Sequence, residues 1–165
     1  MAWITPNDLS ERTGDMFISH GERDITELGL KESSAILMPA GSVLYSSRAP
    51  IGYIAISRNQ VCTNQGFKSI VPNKGYDKLY VYYTLKKYTN SIIKQGGGTT
   101  FKEISWDVLA SVEIPLPPKE FTTIFGKQIQ KVVLKRNNLE LENDKLTQLR
   151  EQLLPLLLNG QIKVA

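Results

Sequence analysis

The chain has one cysteine, one histidine and no long apolar run. A single cysteine, Cys62, excludes an internal disulfide. A single histidine, His20, leaves no Cys/His set for a structural zinc, although counting alone does not exclude a carboxylate site for magnesium or calcium. No apolar stretch approaches the roughly 18 residues that a membrane span needs. The N-terminus, MAWITPNDLSERTGD, lacks a basic region followed by an apolar stretch and does not read as a secretory signal. The chain shows no Ser/His/Asp set and no Asn-Pro-Pro-Tyr or Asp-Pro-Pro-Tyr of the kind that amino-methyltransferases carry. Pro115-Leu-Pro-Pro118 has the prolines without the Asn/Asp or the aromatic residue. Gly96-Gly-Gly-Thr-Thr100 does not match GxxxxGK[ST], so it is not a nucleotide-binding loop. We read the chain as non-catalytic, with no cofactor and no metal of its own.

What is present is a chain of 165 residues, 41% hydrophobic and 22% charged, the texture of a folded protein of one domain plus a long element. The net charge of +4 is modest, and its distribution says more. Residues 1–32 hold three basic and seven acidic side chains, residues 33–117 nine and four, and residues 118–165 eight and five. The middle of the chain is the positive part. It is also rich in Gly, Ser, Thr, Asn and Tyr, a composition that suits contacts to phosphates and base edges but also a solvated basic surface.

Residues 1–117 carry short apolar runs between turn residues. Ile36–Met38, Val43–Tyr45, Ile51–Ile56, Ser69–Val71 and Val112–Leu116 read as strands, bounded by Pro39-Ala-Gly41, Pro50, Asn59-Gln60 and Pro72–Gly75. Tyr76–Lys94 reads as a helix with Asp77 as its N-cap, stopped by the glycines from Gly96. Ser105 caps a further short helix. These features predict an α+β fold: a compact mixed-sheet domain over 1–117, then a long helix and a short tail over 118–165.

The helix is expected from Phe121 to about Leu154, with Pro155 kinking or ending it and Gln161–Val164 as an extended tail. Phe125, Val132, Leu139, Leu146 and Leu153 recur every seven residues, like the d positions of a heptad. The a positions, Ile129, Arg136, Asn143 and Arg150, are mostly polar. A stripe of this kind on a helix of some 50 Å predicts that most of it projects and forms a coiled coil with another helix. Arg136 and Asn143 would fix register or orientation.

Several segments together resemble the specificity (S) subunits of type I restriction–modification systems. They are Ile25-Thr-Glu-Leu-Gly-Leu30, Pro39-Ala-Gly41 with Leu44-Tyr-Ser-Ser-Arg48, Pro50-Ile-Gly52 and Thr63-Asn-Gln-Gly66. Further on come Gly98-Thr-Thr-Phe-Lys-Glu-Ile-Ser105, Ile114-Pro-Leu-Pro-Pro118 and the tail Asn143–Val164. The resemblance implies one target-recognition domain plus the distal helix of a subunit that has two of each, the paired helices acting as a spacer between half-sites. Members have an earlier segment before the residue matching Trp3, so the chain is expected to be a half-subunit, a shuffling cassette or a truncated product lacking an N-terminal strand and helix. The implied partners are double-stranded DNA, methyltransferase (M) subunits, the restriction (R) subunit indirectly, and a second copy or another S half through the helix. The implied location is the prokaryotic cytoplasm, away from any membrane. S-adenosylmethionine, ATP and magnesium would belong to partner subunits. Two other readings stay open: an interaction fragment that docks on M subunits without reading DNA, and the recognition fragment of a fused restriction–methylation enzyme.

The candidate DNA contacts are Arg48, Asn64, Gln65, Lys68, Lys74, Lys94, Gly97, Thr99, Thr100 and Lys102. Arg48 can fork onto a phosphate or a guanine edge, or pair with an internal acid. Members sharing its motif read different sequences, which favours phosphate or partner contact over base reading. Asn64 and Gln65 can read adenine or cap a turn. The Gly96–Thr100 loop between Lys94 and Lys102 can wrap a phosphate or merely end a helix. Base discrimination is expected in the unshared stretches 6–24 and 67–78, with Asn7, Arg12, His20, Arg23, Lys68, Asn73, Lys74 and Lys78. Tyr80, Tyr82, Tyr83 and Tyr88 read as helix packing rather than base stacking.

Overall fold

The computed structural model describes residues 1–96 and 103–162. The order is β1 (Ala2–Ile4), α1 (Pro6–Glu11), β2 (Phe17–Ile18), β3 (Arg23–Asp24), α2 (Glu27–Lys31), β4 (Val43–Tyr45), β5 (Ile54–Ser57), β6 (Val61–Thr63), α3 (Lys78–Gln95), α4 (Trp106–Ser111) and α5 (Lys119–Leu158). The α+β class and the long C-terminal helix are as expected. Two compact units result, Met1–Ile129 and Gln130–Ala165. The first turns of α5 belong to the first unit.

The strands form two three-stranded sheets. In one, β1 lies between antiparallel β3 and parallel β6; in the other, β5 lies between parallel β2 and antiparallel β4. Ile4, Leu9, Ile18, Leu44, Ala55, Val61 and Phe67 bury their side chains in one cluster. Helix α3 covers β4 and β5 with Leu79, Tyr82, Leu85 and Ile92. Its N-cap is Asp77, whose carboxylate accepts from Leu79 N at 2.7 Å, and Ser105 caps α4 in the same way.

Three expected strands are corrected. Met38 and Ile70 each make only a single bridge, to Val61 and Val43. Val112–Leu116 forms no strand. Pro115 and Pro117 have no N–H to give a ladder, and the Pro115 carbonyl is taken by the Tyr80 hydroxyl at 2.7 Å. Pro155 does not end α5, which runs on to Leu158. The proline leaves the Glu151 carbonyl without an N–H donor, but Glu151 is exposed and water can solvate it. No helix among the described residues is long and apolar enough to cross a membrane.

The N-terminal segment, where the sequence suggested no element, is held by one buried carboxylate. Asp8 Oδ2 accepts from Thr5 N at 2.7 Å and from the Thr5 hydroxyl at 2.6 Å, while Oδ1 accepts from Glu22 N at 2.7 Å. This closes a capping box at the start of α1 and ties α1 to the turn before β3. Burial alone would raise the Asp8 pKa. The hydrogen bonds from the Thr5 hydroxyl and from the Glu22 and Thr5 amides outweigh it and bring the value below 3.8. A carboxylate with a lowered folded pKa stabilises the protein above its unfolded value and loses that contribution as pH falls through the folded one. Asp8→Asn should therefore cost about 1–3 kcal/mol at neutral pH. In denaturant titrations the deficit should shrink below about pH 4, as the wild-type carboxyl protonates; a deficit independent of pH would contradict this.

Candidate functional site

The run from Val43 to Arg48 is paired along both edges as far as Ser46 and along one edge beyond it. On one side β4 pairs with β5. On the other, Val43 bridges Ile70, Ser46 bridges Phe67 and Arg48 bridges Glu103. Backbone bonds fix the register: Ser47 N donates to Gly66 O at 2.7 Å, Lys68 N to Tyr45 O at 2.9 Å and Ile104 N to Ser47 O at 2.8 Å. The turn beyond Arg48 is clasped by Ser46, whose hydroxyl donates to Pro50 O and accepts from Tyr53 N, each at 2.8 Å. Gly52 closes that turn at φ 92°, and a Cβ there would meet Thr89 Cγ2 of α3 at 2.5 Å. The Pro50-Ile-Gly52 motif thus has a mechanical reason.

This backbone brings together a charged group. Arg48 Nε lies 3.2 Å from Glu103 Oε2, and Lys68 Nζ lies 3.7 Å from Glu103 Oε1. The Lys68 ammonium is also 6.0 Å from the centroid of the Trp106 ring, within reach of a cation–π attraction. Trp106, at the first turn of α4, is 54% exposed. Beneath the group, Ile104 and Phe67 are buried. Glu103 and Trp106 were not among the sequence candidates. The available signal was an aromatic residue next to the Ser105 cap, in a segment otherwise read for its glycines and lysines.

Of the candidates, Arg48 and Lys68 are therefore neighbours. Asn64 is used by the turn: its Oδ1 accepts from Gly66 N at 2.9 Å. Gln65 beside it is exposed. Lys74 is exposed before α3, on an apolar groove of about 360 Å³ lined by Ile70, Tyr80 and Leu116 among others. Lys94 is exposed in the last turn of the same helix. Lys94 thus sits near the end of the helix and Lys74 in the loop before its start. Gly97, Thr99, Thr100 and Lys102 lie outside the described residues. Among the residues of the unshared stretches, Asn7 donates to Glu11 on its own helix at 2.8 Å, and His20 is exposed. Cys62 is buried and free, and burial pushes its thiol up, away from reactivity.

The long helix divides by function along its length. Near its start, Phe125 meets Tyr80 and Tyr83 edge-on at 6.3 and 6.0 Å. Thr122 Oγ1 accepts from Asp77 N at 3.3 Å. A Cβ on Gly126 would run into the Asp77 carboxylate. Phe125 is thus engaged within the first unit. Further along, Val132, Leu139, Leu146 and Leu153 are all exposed. Ile129 is half-buried, Asn143 is exposed, and Arg136 donates to Glu140 one turn on at 2.8 Å.

The type I restriction modification DNA specificity domain matches residues 1–151, across both units. The chain belongs to that family. It is 48% identical over 120 residues to the type I restriction enzyme MjaIX specificity subunit of Methanocaldococcus jannaschii, covering 72% of this chain and 28% of that one. It is 30% identical over 159 residues to the HindI specificity subunit of Haemophilus influenzae, covering 93% and 34%. A chain from a solved structure of a type I restriction–modification system shares the fold with a TM-score of 0.58 at 18% identity, over 93% of this chain and 36% of that one. The chain thus spans 28–36% of the length of these relatives.

Glycine to alanine in a helix interior ordinarily stabilises by about 0.5–1 kcal/mol. At position 126 the sign should reverse, because the added methyl meets Asp77. Gly126→Ala should lower the melting temperature; a rise would show that the joint between α3 and α5 is loose.

Proposed function

We propose that the chain is a DNA-reading half of a type I specificity subunit. Its first unit binds double-stranded DNA, and its long helix pairs with the helix of a second copy or of another S half. The pair docks on methyltransferase subunits, which supply S-adenosylmethionine chemistry on adenine. The restriction subunit, with ATP and magnesium, acts through the same assembly in the prokaryotic cytoplasm. The chain itself contributes position and no bond chemistry. Phosphate contacts orient it, base edges select, and the spacing of the two helices sets the distance between half-sites. The observation that carries this reading is a family match that runs unbroken from the cation-bearing unit into the exposed leucine row of α5.

Leucines left wet along a helix favour a partner, since each gives roughly 1.5–3 kcal/mol when fully buried. Leu139→Asp with Leu146→Asp should abolish both self-association and capture by M subunits, read by light scattering and pull-down. Unchanged behaviour removes the helix-pairing role. Electrophoretic binding to a random DNA library, with and without an M subunit, tests the reader. Enrichment of a sequence supports it. Capture by M with no DNA retained in either condition points instead to an interaction fragment that does not read DNA.

A further inference from the structure

Glu103 is an odd neighbour for a surface that is to meet polyanionic DNA. It holds Arg48 by a single 3.2 Å contact and reaches Lys68 only at 3.7 Å, beyond hydrogen-bond length. The Lys68 side chain keeps only 13% of its exposure, yet among the described residues Glu103 is the one acceptor near its ammonium. Its ammonium is therefore held near Glu103 by charge attraction rather than by a hydrogen bond. The guanidinium, by contrast, is 46% exposed, and its fork is held from one corner. The three charges rest on paired backbone from Tyr45 to Arg48, Gly66 to Lys68 and Glu103 to Ile104, so their geometry is fixed without the ion pair. A carboxylate in this place adds little to the fold, being exposed to water at 40%. What it does is electrostatic. It cancels one of two cations that converge beside an exposed indole.

We infer that Glu103 is the counter-charge of a phosphate seat formed by Arg48 and Lys68. The backbone keeps the two cations aimed at one point, the carboxylate keeps them occupied, and a DNA phosphate must displace it to bind. The consequence is selectivity. A backbone phosphate delivered in the right register by base contacts elsewhere takes the seat, whereas an indifferent duplex meets a net charge lowered by one. Glu103 is then a positioning residue that widens the gap between specific and non-specific binding. The inference rests on the DNA-reading proposal above.

The test uses the full chain, a random-sequence duplex and a salt series. Glu103→Gln should tighten binding to the random duplex by about threefold or more at low salt, the effect of one unit charge at about 6 Å in water. It should also steepen the slope of log K against log salt by about 0.9, one more phosphate neutralised. The steepening should vanish when Arg48→Ala and Lys68→Met are added. Glu103→Ala, which also removes the charge, should move in the same direction, and it serves if the Gln variant melts early. A merely structural Glu103 would lower the melting temperature and leave the slope where it was, which overturns the inference. So does loss of preference at a single base pair with random-duplex binding unchanged, since Glu103 would then read a base. If the wild-type chain retains no duplex at any salt, the DNA-reading proposal itself fails. If it binds and Glu103→Gln binds identically, only the counter-charge role fails.

Discussion

The pairing of the run from Val43 to Arg48, on two edges up to Ser46 and on one beyond it, is the constraint on which the site in the first unit depends. One edge gives β4 its place beside β5, under α3. The other edge recruits two segments that are distant in sequence, Phe67–Ile70 and Glu103–Ile104, as single bridges. Neither could hold itself as a strand, yet each delivers a charged side chain next to Arg48. The Ser46 clasp and the close approach of Gly52 to Thr89 then stop the chain from fraying beyond Arg48. A surface group built on paired backbone can hold a fixed geometry, which one built on loop tips cannot.

The second constraint is the root of the long helix. Asp77 caps α3 through Leu79 N and at the same time sits against Thr122 and Gly126 of α5. Phe125 adds two edge-on aromatic contacts to α3. The first turns of α5 thus belong to the packed domain. Beyond it the apolar residues of the heptad pattern are exposed, and Arg136 is engaged with Glu140 on its own helix.

The sequence was most legible where local chemistry acts alone. Asp77 and Ser105 were readable as caps because a short oxygen-bearing side chain before an apolar-periodic run has one common use. Both helices follow, while α5 runs for 40 residues, past the expected end near Leu154. The strands were less legible because they run for only two to four residues, too few for a period of two to show. In the N-terminal segment, the placement of α1 beside the turn before β3 depends on Asp8 reaching Glu22, a contact no periodicity announces. Val112–Leu116 looked like a strand from its apolar residues, yet its prolines removed the donors. Pro155 looked like a stop, yet an exposed carbonyl four residues back cost the helix too little to end it. At the site, Arg48 and Lys68 were legible as cations and Asn64 as a turn amide. Their convergence on Glu103 was not, since it joins three separate stretches of chain. The glycine-threonine segment that the sequence favoured for phosphate contact falls outside the described residues.

On the proposed function, the chain has one task, placing partner methyltransferases at chosen adenines. Mapping methylated adenines in cells expressing the M subunits, with and without this chain, tests that task most directly. A bipartite motif that appears only when the chain is present is the predicted result, an interrupted palindrome if two copies pair by two-fold symmetry. An identical set of methylated sites with and without the chain would contradict it.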